Sequence, residues 1–185
     1  FTLITTVLGF PMEYYQSFLR EHAYGLSTQA FGSWLGDEGK GLLVASVANL
    51  LLLSFLYLAF RLAPRLWWAL GTIAALLLFV FGVMVAPVFI SPLFNKYQPL
   101  NDPQIRDPIL ALANANEIPV TQVLEFDASR QTNKVSANVS GFLGTTRISL
   151  NDNLLKQCSL PEIRQVMSHE MGHYVLNHTM KLLSQ

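Results

Sequence analysis

Residues 41–90 read GLLVASVANLLLLSFLYLAF, then RLAPR, then LWWALGTIAALLLFVFGVMVAPVFI. The first and last pieces, residues 41–60 and 66–90, carry no charged side chain and are rich in Leu, Ala, Val and Phe. About 20 such residues in a helix span a hydrocarbon core roughly 30 Å thick, so both pieces are predicted to be transmembrane helices. Because residues 61–65 allow only a short connection, the two helices are expected to form an antiparallel hairpin.

The composition of the whole chain also indicates a membrane protein. Of the 185 residues, 51% are hydrophobic and 13% are charged, whereas soluble proteins have a charged fraction of about 25%. The formal net charge is zero, which excludes nucleic acid as a partner because no basic surface can neutralise phosphates. The single Cys158 excludes an internal disulfide and a thiolate-rich metal site, which leaves imidazole and carboxylate as ligands. We therefore expect an integral, multi-pass protein of the lipid bilayer.

Upstream of the hairpin, residues 1–40 are expected to hold the end of a truncated membrane helix and a loop or interfacial segment. Residues 1–10 are apolar but too short to cross a bilayer, and the chain starts with Phe1 instead of methionine. Residues 11–40 mix aromatic and charged side chains, which is typical of an interfacial segment. A helical pattern also continues to Gln185, so we interpret the chain as a fragment.

Downstream of the hairpin, residues 91–185 are more polar and predict a small α+β domain. Asp102 and Pro103 are typical of a helix start, with an N-cap followed by proline in the first turn. Patterns typical of strands follow at residues 120–126, 134–140 and 145–150. A turn is predicted at residues 141–144, between the last two strands. A final helix follows these strands, so a strand is available to line a cleft beside it.

The final predicted helix contains the run His169-Glu170-Met171-Gly172-His173. Residues four apart on a helix lie about 40° apart around its axis, so each histidine can direct one nitrogen at the same metal ion. Zinc held in this way lowers the pKa of a water molecule, and the adjacent carboxylate accepts the proton as the water attacks a carbonyl. The motif predicts peptide hydrolysis, with His169 and His173 as ligands of one zinc ion and Glu170 as the catalytic base and acid.

A chance arrangement of polar residues on an amphipathic helix is the alternative explanation of this motif. The local sequence argues against it, because Ser159-Leu160-Pro161-Glu162 forms a capping box that starts a helix near Leu160. Apolar residues then recur at intervals of three and four and supply a buried stripe beside the motif, namely Ile163, Val166, Met167, Met171, Tyr174 and Val175.

Several other segments, taken with the motif, resemble one family of membrane enzymes. They are PMEYY at residues 11–15, REHAYGLS at 20–27, PLFNKY at 92–97 with Pro99-Leu100, and RISLNDNLL at 147–155. In this order they are similar to the integral-membrane zinc metallopeptidases (gluzincins) typified by CAAX prenyl protease 1, with bacterial heat-shock membrane endopeptidases as more distant relatives. The resemblance implies a mainly α membrane protein, in which the transmembrane helical hairpin is followed by a truncated, zincin-like α+β metallopeptidase domain.

The resemblance also implies roles for residues around the metal. The third zinc ligand of this family is a glutamate on a later helix, expected here beyond Gln185. His178 is a poor substitute, because it lies five residues after His173 and points about 140° away on a continuous helix. We expect His178 either to support the zinc ligands without binding zinc itself or to pack against neighbouring side chains.

The family's strand beside the cleft usually carries an Asn-Ala pair. The candidate substrate-binding residues at this strand are Ser136, Ala137 and Asn138. Ser136 and Ala137 align with the pair, so the asparagine of this chain stands one place later than in the family. A substrate held through backbone groups would tolerate the change, whereas a substrate held by the asparagine side chain would not.

These features predict a membrane-embedded zinc metalloendopeptidase that cleaves membrane-associated or prenylated polypeptides. The fragment alone is expected to be inactive, because the third ligand lies outside it. The resemblance of residues 140–155 favours a bacterial inner membrane, with the endoplasmic reticulum as the alternative, and basic residues at both ends of the hairpin leave its orientation open.

Two other functions are compatible with parts of the sequence. A protease with the motif inside a spanning helix is disfavoured by polar residues such as Glu162, Arg164 and Asn177. A non-catalytic membrane scaffold with an incomplete or structural zinc site is the alternative to an enzyme. Structural sites usually use four protein ligands, often thiolates, whereas this chain offers two histidines and a glutamate placed as a base.

Overall fold

A computed structural model describes residues 2–140 and 146–176 of the chain. The chain divides into two compact units, each with its own internal packing. The first is helical and comprises residues 1–25 and 29–86, and the second contains a small sheet and comprises residues 26–28 and 87–185.

The helical unit consists of consecutive helices. The first, α1 (Thr2–Glu13), continues through a π-helical segment (Tyr14–Leu19) into α2 (Arg20–Ala23). Two long helices follow, α3 (Phe31–Leu62) and α4 (Trp67–Val85). They contact each other, and the ring of Phe60 stacks on that of Trp67 with centroids 4.3 Å apart, so they form the expected hairpin.

The apolar surface of the hairpin is largely exposed. Helix α3 is the one helix within the described ranges that is long and apolar enough to cross a membrane, and the apolar part of α4, Trp67–Gly82, is shorter. Leucines on both helices are well exposed, with Leu50 at 67% and Leu77 at 64%. Exposed apolar side chains all round a helix are unfavourable in water and are satisfied by lipid.

Helix α3 begins at Phe31, whereas the predicted span starts at residue 41. The helix thus includes the end of the segment that the sequence predicts to be a loop or an interfacial segment. Aromatic packing explains the difference. Trp34 is buried, and its ring centroid lies 5.5–5.9 Å from those of Phe10, Tyr14, Phe18 and Phe31. This cluster holds a glycine-rich sequence in a helix that its own propensity does not favour.

After α4 the chain forms two short helical elements, which lie almost entirely in the second unit. They are a π-helical segment (Ala86–Ile90) and α5 (Ser91–Phe94). Its strands are β1 (Tyr97–Pro99), β2 (Val123–Phe126), β3 (Ala137–Ser140) and β4 (Arg147–Asn151). Its remaining helices are α6 (Pro103–Ala115), a 3-10 turn (Ala128–Arg130), α7 (Asp152–Gln157) and α8 (Leu160–Val175).

The four strands form one sheet in the order β1-β2-β4-β3. Strands β2 and β4 are parallel, whereas β1 pairs with β2 and β3 with β4 in antiparallel fashion. The predicted turn at residues 141–144 lies outside the described residues. Helix α8 packs against β3 and α6, and the core between sheet and helices includes Ile109, Val123, Ile148, Leu150, Leu154, Ile163, Met167 and Met171.

Candidate metal centre

Helix α8 starts where the capping box predicted. The backbone N–H and the hydroxyl of Ser159 both donate to Oε2 of Glu162 at 2.7 Å. These two hydrogen bonds hold the pKa of the Glu162 carboxyl below its usual range. The helix therefore begins at Leu160, which places the His-Glu-x-x-His run in its third and fourth turns.

The two faces of α8 have different environments. Ile163, Met167 and Met171 are buried in the core at 2%, 0% and 1% exposure. The hydroxyl of Tyr174 lies 3.0 Å from that of Thr146, which ties the end of the same face to the segment before β4. This packing leaves the histidines of the motif on the exposed face of the helix.

His169 and His173 come together as the motif predicts. Their Nε2 atoms are 3.0 Å apart, and their rings are nearly perpendicular, with an interplanar angle of 87°. Two nitrogens bound to one tetrahedral zinc at about 2.0–2.1 Å are about 3.3 Å apart, so the observed separation fits two ligands of one ion. The same separation suits a hydrogen bond between the rings, in which one Nε2 donates and the other accepts.

Glu170 lies about 100° around the helix from His169, between the exposed face and the core face. Its side chain is half-buried. A third ligand is not present in residues 2–140 and 146–176, where no group of three His, Cys, Asp or Glu side chains could hold a metal ion. His178 lies outside the described residues.

The candidate substrate strand, β3, lies at the edge of the sheet, against α8. Ala137 points into the core, at 9% exposure, and Ser136 precedes the strand and is exposed. The carbonyl of Ser136 accepts from the backbone N–H of Asn151 at 2.9 Å. Because bonded pairs alternate in an antiparallel ladder, Ala137 and Val139 direct their N–H and C=O groups away from β4, towards the open edge.

The structure adds a cluster of buried polar residues that sequence reasoning missed. Asn151, Asp152 and Asn153 lie at the junction of β4 and α7, at 1%, 7% and 4% exposure. Buried polar groups need hydrogen-bond partners. The side chains of Asn151 and Asn153 bond to the loop that precedes β3, and that of Asp152 bonds to Ser129 in the 3-10 turn. The available signal was the run of three consecutive polar residues that ends β4 and opens α7.

Asp152 shows how tightly this junction is bonded. Its carboxylate accepts hydrogen bonds from the backbone N–H of Ser129 at 2.9 Å, from the Ser129 hydroxyl and from Lys156 at 2.8 Å. Burial by itself raises the pKa of Asp152, but the hydrogen bonds from Lys156 and Ser129 outweigh it, so the pKa lies below its usual range. The carboxylate is thus a charged, fully bonded anchor.

Two family models match the chain. One, described as the CAAX prenyl protease N-terminal region with five membrane helices, matches residues 1–96, and the other, peptidase family M48, matches residues 99–185. The chain belongs to the M48 family of CAAX prenyl proteases. The family resemblance inferred from the sequence is therefore confirmed.

Individual M48 relatives agree with this assignment. The chain is 34% identical over 180 residues to the Bacillus subtilis protein named "Uncharacterized metalloprotease YhfN", covering 96% of the chain and 41% of that protein. It is 28% identical to CAAX prenyl protease 1 of Saccharomyces cerevisiae, covering 97% of the chain and 40% of the relative. The chain thus spans about 40% of the length of the curated relatives it matches.

A solved structure supports the M48 fold. The crystal structure of Ste24p from S. mikatae matches with a TM-score of 0.88 and 28% identity, covering 98% of this chain and 43% of the other. The predicted fold class, a mainly helical membrane metalloprotease with a small sheet, is confirmed. Membership of the M48 family implies a metal cofactor and a polypeptide substrate, and it favours a metalloprotease over a scaffold.

Proposed function

We propose that the protein is a membrane-embedded zinc metalloendopeptidase. The observation that carries this proposal is the pair of Nε2 atoms, 3.0 Å apart on the exposed face of a helix that packs against an edge strand. Zinc is the metal that best matches two imidazole ligands on a helix with a glutamate beside them. The ion would be held by His169, His173 and a glutamate beyond Gln185, as the family resemblance implies.

The roles of the other groups follow from their positions on α8. Bound zinc supplies Lewis acidity that polarises a carbonyl and lowers the pKa of water. Glu170 accepts a proton from the attacking water at its carboxylate and passes it to the leaving amine. His169 lies one residue before Glu170 and His173 three residues after it. The folded helix would therefore hold the metal ligands close to the carboxylate that acts as the base.

The polypeptide substrate binds as an added strand along β3. Ala137 and Val139 offer outward backbone groups, and no described strand pairs with that edge. Backbone pairing does not depend on side-chain identity, so it tolerates Ser136 at the position where the family resemblance implies an asparagine. Asn138 is half-buried and lies on the sheet face opposite Ala137.

The substrate is membrane-associated or prenylated. An apolar helix long enough to cross a membrane, α3, supports a membrane-borne substrate, and the relatives named CAAX prenyl protease 1 support a prenylated one. A bacterial inner membrane is the favoured location, supported by the higher identity to the B. subtilis relative than to the yeast one. The endoplasmic reticulum is the alternative location.

The test uses the full-length protein in lipid vesicles and the substitution Glu170→Gln. Removal of the general base should lower kcat by about 10²–10⁴-fold, while zinc content stays at one ion per chain. Glu117→Gln makes the same chemical change at an exposed loop residue and should leave both quantities unchanged. Cleavage of matched peptides with and without a prenyl group identifies the substrate class.

The outcome separates an enzyme from a scaffold. Retained zinc with lost cleavage in Glu170→Gln supports the proposed mechanism. Full cleavage by that variant would refute the role of Glu170, and a wild-type protein that binds no zinc would refute the metal site.

A further inference from the structure

We propose that Asn151 and Asn153, together called the asparagine clamp, are positioning residues that hold β3 in the register that the substrate requires. The proposal rests on the proposed function, in which the polypeptide pairs with the open edge of β3. Neither residue belongs to the zinc motif or to the substrate strand, and the clamp acts on catalysis through the placement of β3.

The buried side chain of Asn151 makes three hydrogen bonds, two to the loop before β3 and one to the first turn of α7. Its Oδ1 accepts from the N–H of Ser136 at 3.0 Å and from the N–H of Leu154 at 2.8 Å. Its Nδ2 donates to the carbonyl of Lys134 at 2.7 Å. The backbone N–H of Asn151 also donates to the carbonyl of Ser136 at 2.9 Å. Ser136, the residue before β3, is therefore held at both of its backbone groups by one residue.

Asn153 bonds to the same loop, at residues that precede Ser136 in the chain. Its Nδ2 donates to the carbonyl of Thr132 at 2.6 Å and to that of Lys134 at 3.2 Å. The Lys134 carbonyl thus accepts from both asparagines of the clamp. The two side chains together fix the backbone from Thr132 to Ser136, which is the segment that enters β3.

Strand β3 needs such a device because its own sequence specifies its register weakly. It has four residues, Ala-Asn-Val-Ser, and pairs with one neighbour, β4. Only Ala137 and the partly buried Val139 face the core, and both are small. A slip by one residue would turn Asn138 towards the core and would also reverse which backbone groups face the open edge. The clamp therefore determines which N–H and C=O groups the substrate meets.

The substitution Asn151→Ser separates the clamp from ordinary folding. Serine retains a hydroxyl that can cap α7 at the N–H of Leu154, but it is too short to reach Ser136 and Lys134 as well. For a peptide of roughly eight residues, long enough to pair with β3, KM should rise about tenfold, equal to about 1.4 kcal/mol of binding. For a peptide too short to reach β3, KM should be unchanged, and kcat and zinc content should change little for either.

Controls and a second readout accompany this comparison in the full-length protein. Asn116→Ser makes the same change at an exposed residue that caps the end of α6, and it should leave both KM values unchanged. Hydrogen exchange at the amides of Asn138 and Ser140 should accelerate by about tenfold in Asn151→Ser, without a matching change in α8. Asn153→Ser removes one of the two donors to Lys134 and should give a smaller effect of the same kind.

The outcomes distinguish failure of the clamp from failure of the proposed function. If wild type cleaves peptides and Asn151→Ser raises neither KM nor exchange in β3, the clamp is refuted. An equal loss of kcat for long and short peptides would indicate a structural role alone and would also refute it. If Asn151→Ser does not fold, the KM values of Asn153→Ser decide. If wild type cleaves no peptide, the proposed function fails and the exchange data alone decide whether the clamp holds β3.

Discussion

The two faces of the 16-residue helix α8 differ in burial and in chemistry. The inner face buries Met167 and Met171 at 0% and 1% exposure, whereas His169 and His173 on the outer face are exposed. The inner face makes many dispersion contacts, and the outer face makes few. Stability and metal binding are therefore separable properties of one helix, and substitutions on each face should affect different measurements.

The largest effect is expected on the outer face, from His173→Ala. Loss of one imidazole should reduce zinc to background and peptidase activity by at least about a thousandfold, or about 4 kcal/mol of transition-state stabilisation. Zinc analysis and initial rates on the full-length protein measure this effect. The matched change His22→Ala, at a histidine that contacts Phe18 in the helical unit, should retain zinc. Normal zinc content in His173→Ala would show that the metal is held elsewhere.

The next effect belongs to the inner face and should reverse the pattern. Met167→Ala leaves a cavity in the core and should cost about 2–4 kcal/mol of stability, seen as a lower apparent melting temperature. The molecules that stay folded should keep zinc and a normal kcat. Val175→Ala, at a residue 47% exposed on the same helix, should change stability by less than about 0.5 kcal/mol. Equal losses in both variants would contradict the division between the faces.

Much of α8 could be predicted from sequence because its determinants are local. The capping box at Ser159 and Glu162 fixes the start, and the apolar spacing fixes which side is buried. Of the six predicted stripe residues, Val175 is 47% exposed, whereas the other five are buried or packed against the core. The approach of the two histidines follows from helix geometry alone, and the family resemblance added the expected third ligand.

The rest of the fold depends on contacts between distant residues, which periodicity does not encode. The start of α3 depends on rings of α1 and the π-helical segment that surround Trp34. The parallel pairing of β2 with β4, which leaves β3 at the edge, depends on the connection that passes through β3. The bonds of Asn151 and Asn153 join residues 15–21 positions apart, so the sequence could mark them as polar but could not give their partners.

The next prediction concerns pH and Asp152, the charged anchor at the start of α7, the helix that precedes α8 in the chain. Hydrogen bonds lower the native pKa of Asp152, while in the unfolded chain it returns to about 3.9. Its contribution is therefore complete above that value and disappears as pH falls through the lower, native pKa. Asp152→Asn should cost about 1.5 kcal/mol at neutral pH and make stability fall less steeply below about pH 4.

Thermal melts of the full-length protein between neutral and acidic pH measure this difference. Asp107→Asn, which removes an exposed carboxylate paired with Arg106, is the matched control for the loss of one charge. An unchanged acid slope in Asp152→Asn would show that the bonds to Ser129 and Lys156 do not stabilise the native state.

The smallest effect tests what the two faces of α8 have in common, which is the start of the helix. Ser159→Ala removes one hydroxyl bond to Glu162 and weakens the N-cap, at a cost of about 1 kcal/mol. The cap lies more than two turns before His169, so unwinding of the first turn should not reach the histidines. Zinc content and KM should therefore match wild type. Ser168→Ala removes a mid-helix hydroxyl that bonds the carbonyl of Arg164 and should be neutral or slightly stabilising. A loss of zinc in Ser159→Ala at unchanged melting temperature would mean that the outer face depends on the cap more than the inner face does.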